Sequence, residues 1–344
     1  MSSHALHFDE SGRRIPLAVV RYAPTVMSKS SLRILVFSLC IAGALVATAS
    51  DAWRASAASS VVLASADNAS RTTIPVTIDG LHATCVLDTG TSAIIISAAM
   101  AESAHLASRA GSFEVAPDGH TYVDRATSIA RLGVAQYALR DVPALISPNV
   151  TGDEALCGYD FFAHFPTLIE RDRRQVTLFP PSSRLARMHC LPVDLSPRVP
   201  LATIEINDTL LPNIVLDSGM AGGGALWDGV RSQLHQPLVA NAQYETMPAA
   251  VREGFSCGAV GAVRYAPGAP ASAMPICTEP KRPDGYNGII ETNLRTVRAM
   301  AVDYPHHRIC FDIAAESGIA ARDVQPPAGR NAWSRFNDLR PPKR

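Results

Sequence analysis

Two aspartates carry the chemistry this sequence suggests most directly. Asp88 lies in Val-Leu-Asp-Thr-Gly at 86–90, and Asp217 lies in Val-Leu-Asp-Ser-Gly at 215–219. In each copy an apolar Val-Leu pair puts the aspartate where a buried strand runs out into a turn. A glycine two positions on, Gly90 or Gly219, permits a tight backbone and close approach by another segment. Thr89 and Ser218 add hydroxyls that can hydrogen-bond across an interface. Either tripeptide alone is common in turns, so the weight comes from the motifs downstream of each copy. Leu-Cys-Gly at 156–158 and Leu-Ile-Glu-Arg-Asp at 168–172 succeed the first; Gly-Ile-Ile-Glu at 288–291 and Met-Ala-Val-Asp at 300–303 succeed the second. Asp88 and Asp172 are 84 positions apart, and Asp217 and Asp303 are 86 apart. Motifs of the same type recur in one order at nearly one spacing, which is an internal repeat.

If the two halves pack as a pseudo-dimer, Asp88 and Asp217 meet at its axis. Two carboxylates that close cannot both ionise, so they share a proton and titrate as a pair. One can then take a proton from water while the other donates to a carbonyl, a general acid–base hydrolysis without metal or covalent intermediate. The elements that must hold this pair are strands. From residue 74, short apolar runs are broken by Gly, Pro, Asn and Asp about every ten residues. A hairpin is expected to turn at Asp79-Gly80, a buried strand to run over 93–97 and a helix over 98–107. Pro117-Asp118-Gly119 is a further hairpin signal.

These residues resemble the retropepsin-like aspartic proteases, in a single-chain, two-lobed bacterial-type form, over about residues 70–315. The resemblance implies an all-β fold of two pseudo-symmetric retropepsin-like β-barrel lobes with few short helices. It maps the catalytic aspartates onto Asp88 and Asp217 and the supporting positions onto Thr89, Gly90, Ser218 and Gly219. The substrate-covering flap falls on 115–124, with Asp118, Gly119 and His120 at its tip, and a looser second flap on 255–263. The substrate implied is a polypeptide, with no cofactor and no metal. The second half departs from the pattern at two places. Glu291 stands where the family has glycine and must either point away or crowd the loop holding Asp217, and Met220 comes directly after the second Asp-Ser-Gly. Two alternatives remain: a non-catalytic double barrel that binds peptide or sugar, and a protease that uses only the first-lobe Asp in a homodimer.

Composition narrows the classes. Of the chain's 344 residues 47% are hydrophobic and 18% charged, enough for packed cores. Formal charge is zero, but both ends are basic and the body over 34–320 is acidic, which gives no footprint for nucleic acid. The apolar run 34–47, preceded by Lys29 and Arg33 and followed by Ala47-Thr48-Ala49, has the form of a secretory signal. Residues 1–49 are therefore expected to be a signal peptide (with Met27 a candidate true start), 50–70 a linker, 71–185 and 186–315 the two lobes, and 316–344 a flexible tail. The expected location is periplasmic or secreted. If the run is not cleaved, it anchors the chain in the inner membrane, the one case with membrane contact. Of seven cysteines, Cys40 would leave with the leader, and six remain in a compartment that permits disulfides. Cys257–Cys277 is the first pairing expected and Cys190–Cys310 the second. No Cys/His cluster has zinc spacing, and the adjacent His306 and His307 suit a solvated turn.

Overall fold

The computed structural model describes residues 61–64, 66–68, 71–115, 121–148, 150–220, 223–240, 256–279, 285–293 and 296–314. Short strands alternate with turns throughout, as the interrupted apolar runs require. In chain order these are β1 (Val61–Ala64), β2 (Ala66–Asn68), β3 (Arg71–Ile78), β4 (Leu81–Leu87), β5 (Ile94–Ser97), β6 (Arg109–Val115), β7 (Thr121–Val134), β8 (Tyr137–Ser147) and β9 (Glu154–Cys157). Then come β10 (Thr167–Glu170), β11 (Gln175–Leu178), β12 (His189–Pro192), β13 (Leu201–Ile206), β14 (Thr209–Asp217), β15 (Gly224–Trp227) and β16 (Val239–Ala240). The last are β17 (Ser256–Arg264), β18 (Ser272–Glu279), β19 (Gly288–Glu291), β20 (Val297–Asp303) and β21 (Arg308–Ile313). Four short helices, α1 (Ala98–Ser103), α2 (Tyr159–Phe162), α3 (Ser182–Leu185) and α4 (Asp228–Arg231), and a 3-10 turn at Tyr304–His306 complete the regular structure of the described residues.

Strands β3-β4-β9-β5-β8-β7 follow one another around a sheet that closes by pairing of β3 with β7, with Ile78 opposite Leu132. Strands β13-β14-β19-β15-β18-β17 repeat the same order and close by pairing of β13 with β17, with Ile206 opposite Val263. The two six-stranded barrels thus share one topology, offset by ten strands, which is the structural form of the repeat in the sequence. Closure leaves each six-strand ring without a free edge of its own, while β2, β6 and β16 pair outside the rings. Strand β5, Ile-Ile-Ile-Ser, is buried along its whole length because it lies between β8 and β9. Its expected helix is present but short: Ser97 caps α1 by accepting from Met100 N at 3.0 Å. The Asp79-Gly80 turn forms as expected, with both residues at positive φ.

A third sheet, in the order β1-β11-β10-β20-β21-β12, joins the barrels. Its central pair is β10 against β20, with Ile169 opposite Met300, so the third motif of each half is the strand that ties the halves together. Strand β1 pairs with β11 at one edge, Val61 opposite Leu178. The stretch expected as linker therefore contributes two strands. An Ala/Ser-rich composition hides them, because an edge strand needs only backbone partners on one side. The segments expected as leader and tail fall outside the described residues.

Among the described residues two disulfides have both partners placed, Cys85–Cys157 and Cys190–Cys310. The second was expected and crosses β12 and β21 in the joining sheet, where Cys190 sits opposite Cys310. The first was not singled out. It links β4 to its parallel neighbour β9, and nothing in the spacing announces that contact. Cys277 is also disulfide-bonded. Ser256 faces Thr278 across β17 and β18, which brings the backbone of Cys257 beside Cys277; the Cys257 side chain lies outside the described residues.

Candidate active site

In the first barrel β9 runs parallel to β4 and antiparallel to β5. The loop 88–93 that joins β4 to β5 must therefore cross the end of β9. Gly158, the residue after β9, sits under that loop, and a Cβ there would overlap the carbonyls of Thr91 and Ala93. The Leu-Cys-Gly motif is the footing of the Asp88 loop. Gly158 N donates to Ala93 O at 3.2 Å, Tyr159 N to Thr91 O at 3.1 Å and Asp88 N to Cys157 O at 3.1 Å. Strands β14, β15 and β19 build the same crossing in the second barrel around the loop that carries Asp217.

The two loops meet. Thr89 Oγ1 donates to Leu216 O at 2.7 Å and accepts from Ser218 N at 2.9 Å. Ser218 Oγ donates to Leu87 O at 2.7 Å and accepts from Thr89 N at 3.0 Å. Both residues are fully buried. Each hydroxyl reaches across the axis and holds the other loop by one N–H and one carbonyl, which fixes the separation and tilt of the adjoining aspartates. Gly90 packs against the Asp217 carboxylate and Gly219 against that of Asp88, so a Cβ at either position would collide with the opposite carboxylate. The glycines are needed for close approach here, as the sequence suggested.

The carboxylates are held by their own loops. Asp88 Oδ1 accepts from Gly90 N at 2.9 Å, and Asp217 Oδ1 accepts from Gly219 N at 2.7 Å and Met220 N at 2.9 Å. Burial raises both above the usual carboxylate range. For Asp217 the charge of Asp88 adds to burial and the group is pushed well up. For Asp88, Arg71 and the hydrogen bond from Asp217 oppose burial, and the rise is smaller. Two carboxylates this close and this buried disfavour ionising together, so they titrate as a pair. Tyr304, buried after β20, stays a neutral phenol: burial raises it, and the two aspartates raise it further.

Glu291 is neither turned away nor crowding the loop. Leu87 and Ile94 both face Cys157, leaving the residues 88–93 between them, whereas Leu216 and Gly224 both face Ile290 and leave 217–223. The second loop is one residue longer, which makes room for the Glu291 side chain in the place of Gly158. Its Oε2 accepts from Gly223 N at 2.7 Å and its own N–H donates to Gly223 O at 2.9 Å. Gly223 has φ +115, a conformation that suits glycine. Gly223 and the glutamate are therefore matched to each other. Beside it Thr292 N donates to Asp217 O at 2.9 Å and Asn293 Nδ2 donates to Ser218 O.

Arg71, Thr292 and Asn293 were not legible as site residues, because each acts on a backbone carbonyl far away in sequence. Asp118, Gly119 and His120 lie outside the described residues. Residues 256–263, expected within a second flap, belong to barrel strand β17. Among the described residues no group of three His, Cys, Asp or Glu side chains could hold a metal ion.

Residues 74–164, which run from β3 through α2, match the family described as "gag-polyprotein putative aspartyl protease". That match spans about a quarter of the chain, within its first lobe. The matched segment contains Asp88, Gly158 and the strands that cross between them. Among solved structures the chain is similar to a retropepsin-like aspartic protease from Rickettsia conorii, at 11% identity and a TM-score of 0.30, covering 35% of this chain and 89% of that one. A search of curated proteins finds no match.

Proposed function

We propose that this protein is an exported aspartic endopeptidase whose catalytic groups are Asp88 and Asp217. The observation that carries the reading is the reciprocal hold of Thr89 and Ser218 on each other's loops, which gives both aspartates equal standing at one axis. The ionised member of the pair, written here as Asp88, takes a proton from a water as the water oxygen attacks the peptide carbonyl carbon. Asp217 gives its proton to the carbonyl oxygen, so no free oxyanion forms. Collapse of the resulting diol breaks the C–N bond. The amine leaves with the proton held by Asp88, and Asp217 recovers one from the diol. A first-lobe homodimer has less support, since the Asp217 loop carries the same hydroxyl, glycine and backbone bonds as the Asp88 loop.

Export rests on the apolar run 34–47 with its Ala-Thr-Ala sequel and on the disulfides, which persist in oxidising compartments. Cleavage of a denatured protein substrate at acid pH, blocked by a statine-type inhibitor and lost in Asp88→Asn, is the expected result. Absence of cleavage across acid and neutral pH would favour the peptide- or sugar-binding alternative. N-terminal sequencing of secreted protein should begin near Ser50, and an intact membrane-bound chain retaining 34–47 would count against export.

A further inference from the structure

Arg71 opens β3, and its guanidinium leaves the first barrel to bond the loop of the second. Its Nε donates to Gly219 O at 3.1 Å, while Nη1 lies 3.4 Å from Glu154 Oε1 on β9. Gly219 is the residue that packs directly on the Asp88 carboxylate, and its N–H bonds Asp217. One residue, Gly219, therefore lies between the guanidinium and both carboxylates. The second barrel does not repeat this device. Thr73 faces Val86 in the first barrel and Leu201 faces Val215 in the second, so the position equivalent to Arg71 is Val199, a buried aliphatic. The neighbouring Arg198 also crosses between lobes, but it is bound to Asp160 and to Ser92 O at 3.1 Å and covers the Tyr159 ring. The pair is symmetric in its hydroxyls and asymmetric in its cations.

We infer that Arg71 is a positioning residue that clamps the Asp217 loop from the first lobe and places a positive charge beside the paired carboxylates, so that it and Glu154 set the pH range in which the pair works. The inference rests on the protease reading above. It agrees with the lowering that Arg71 exerts on both aspartates. Other titratable groups around the loops have separate partners or stay neutral: Arg198 is paired with Asp160, Glu291 bonds Gly223 N, and the Tyr304 phenol is neutral. Glu154 is the counterweight, since its carboxylate offsets part of the Arg71 charge.

The signs are opposite for the two partners. Arg71→Met removes the cation, so both limbs of the kcat/KM profile should move to higher pH, with about a tenfold loss on the wild type's acid limb relative to the plateau. Glu154→Gln should move both limbs to lower pH. Arg71→Lys keeps the charge and loses the Gly219 clamp, so its limbs should stay while kcat falls. Unmoved limbs in both Arg71→Met and Glu154→Gln, with activity scaled down equally at every pH, would overturn the inference and leave a purely structural role. Carboxyl 13C NMR titration of Asp88 and Asp217 in the same full-length variants reads the electrostatic effect without substrate. If the wild type cleaves nothing, the protease reading fails alone; unchanged aspartate titrations in Arg71→Met would refute the present one.

Discussion

Replacing Thr89 with valine keeps the shape of the side chain and removes its hydroxyl. Two hydrogen bonds go, those to Leu216 O and from Ser218 N. The site is fully buried, so water does not replace them. A buried donor or acceptor left without its partner costs about 1–3 kcal/mol, which puts Thr89→Val, with two such groups, at about 2–6 kcal/mol below wild type in equilibrium urea unfolding at neutral pH. Ser218→Ala breaks the mirror pair, to Leu87 O and from Thr89 N, and should cost a similar amount plus a small void. No bond is shared between the hydroxyls, yet both hold the same two loops. The double variant should therefore cost less than the sum, with a coupling on the order of 1 kcal/mol. The consequence for rate is larger than for stability. A displacement of either carboxylate by about 1 Å costs about a hundredfold, so kcat of either variant should fall by about that factor with little change in KM. A Thr89→Val protein within about 0.5 kcal/mol of wild type and fully active would refute the claim that these hydroxyls set the geometry of the pair.

The aspartates themselves should behave as a unit: Asp88→Asn and Asp217→Asn each abolish nearly all peptide hydrolysis, and the double variant is little worse. Asp217 is raised in the folded state, so its ionisation opposes folding as pH rises through that range. Asp217→Asn should gain stability over wild type near neutrality, and the gain should vanish below the ordinary carboxylate range, as followed by urea unfolding against pH. Glu291→Gly strands Gly223 N–H and leaves an overlong loop, so kcat should drop about tenfold. Glu291→Gln keeps an acceptor and should retain most activity; equal losses in both would point to charge rather than the hydrogen bond. Replacing Cys85 and Cys157 together by alanine should lower stability by about 2–4 kcal/mol in thermal or urea unfolding, since the bridge closes a long segment.

The parts of this protein that were legible in its sequence are those whose physics is local. Val-Leu before each aspartate marks a strand end, the glycine two positions on marks close approach, and Asp79-Gly80 marks a tight turn. Their repetition in order disclosed two lobes. The features that escaped are contacts between segments with no local signature. Arg71 meets a backbone carbonyl 148 positions away, and no residue type at Gly219 announces a partner. The Cys85–Cys157 bridge depends on β9 lying parallel to β4, a crossing pattern that alternating hydrophobicity cannot specify. The strands at 61–68 were hidden by an alanine- and serine-rich composition that also suits a linker. Glu291 was seen as a departure, but its remedy required knowing that the loop opposite had gained a residue.

That remedy bears on how two barrels of one topology came to differ. A glycine under the Asp88 loop and a glutamate under the Asp217 loop solve the same steric problem with unlike chemistry. Gly158 yields space, whereas Glu291 fills a space made by the extra residue and bonds the strained Gly223 N–H. Neither half-solution works alone. A glutamate under a six-residue loop would overlap its carbonyls, and a seven-residue loop over glycine would lose the bond that holds it. The two changes are therefore coupled, and a lobe carrying both can keep its aspartate in register with the other. The cations depart from symmetry in the same constructive way, with Arg71 on one side and Val199 on the other. Matching hydroxyl grips hold both loops, while the surroundings of the two carboxylates differ. A pair in which the two groups must do different things gains from that inequality, and a single chain, unlike a dimer of identical lobes, can build it in permanently.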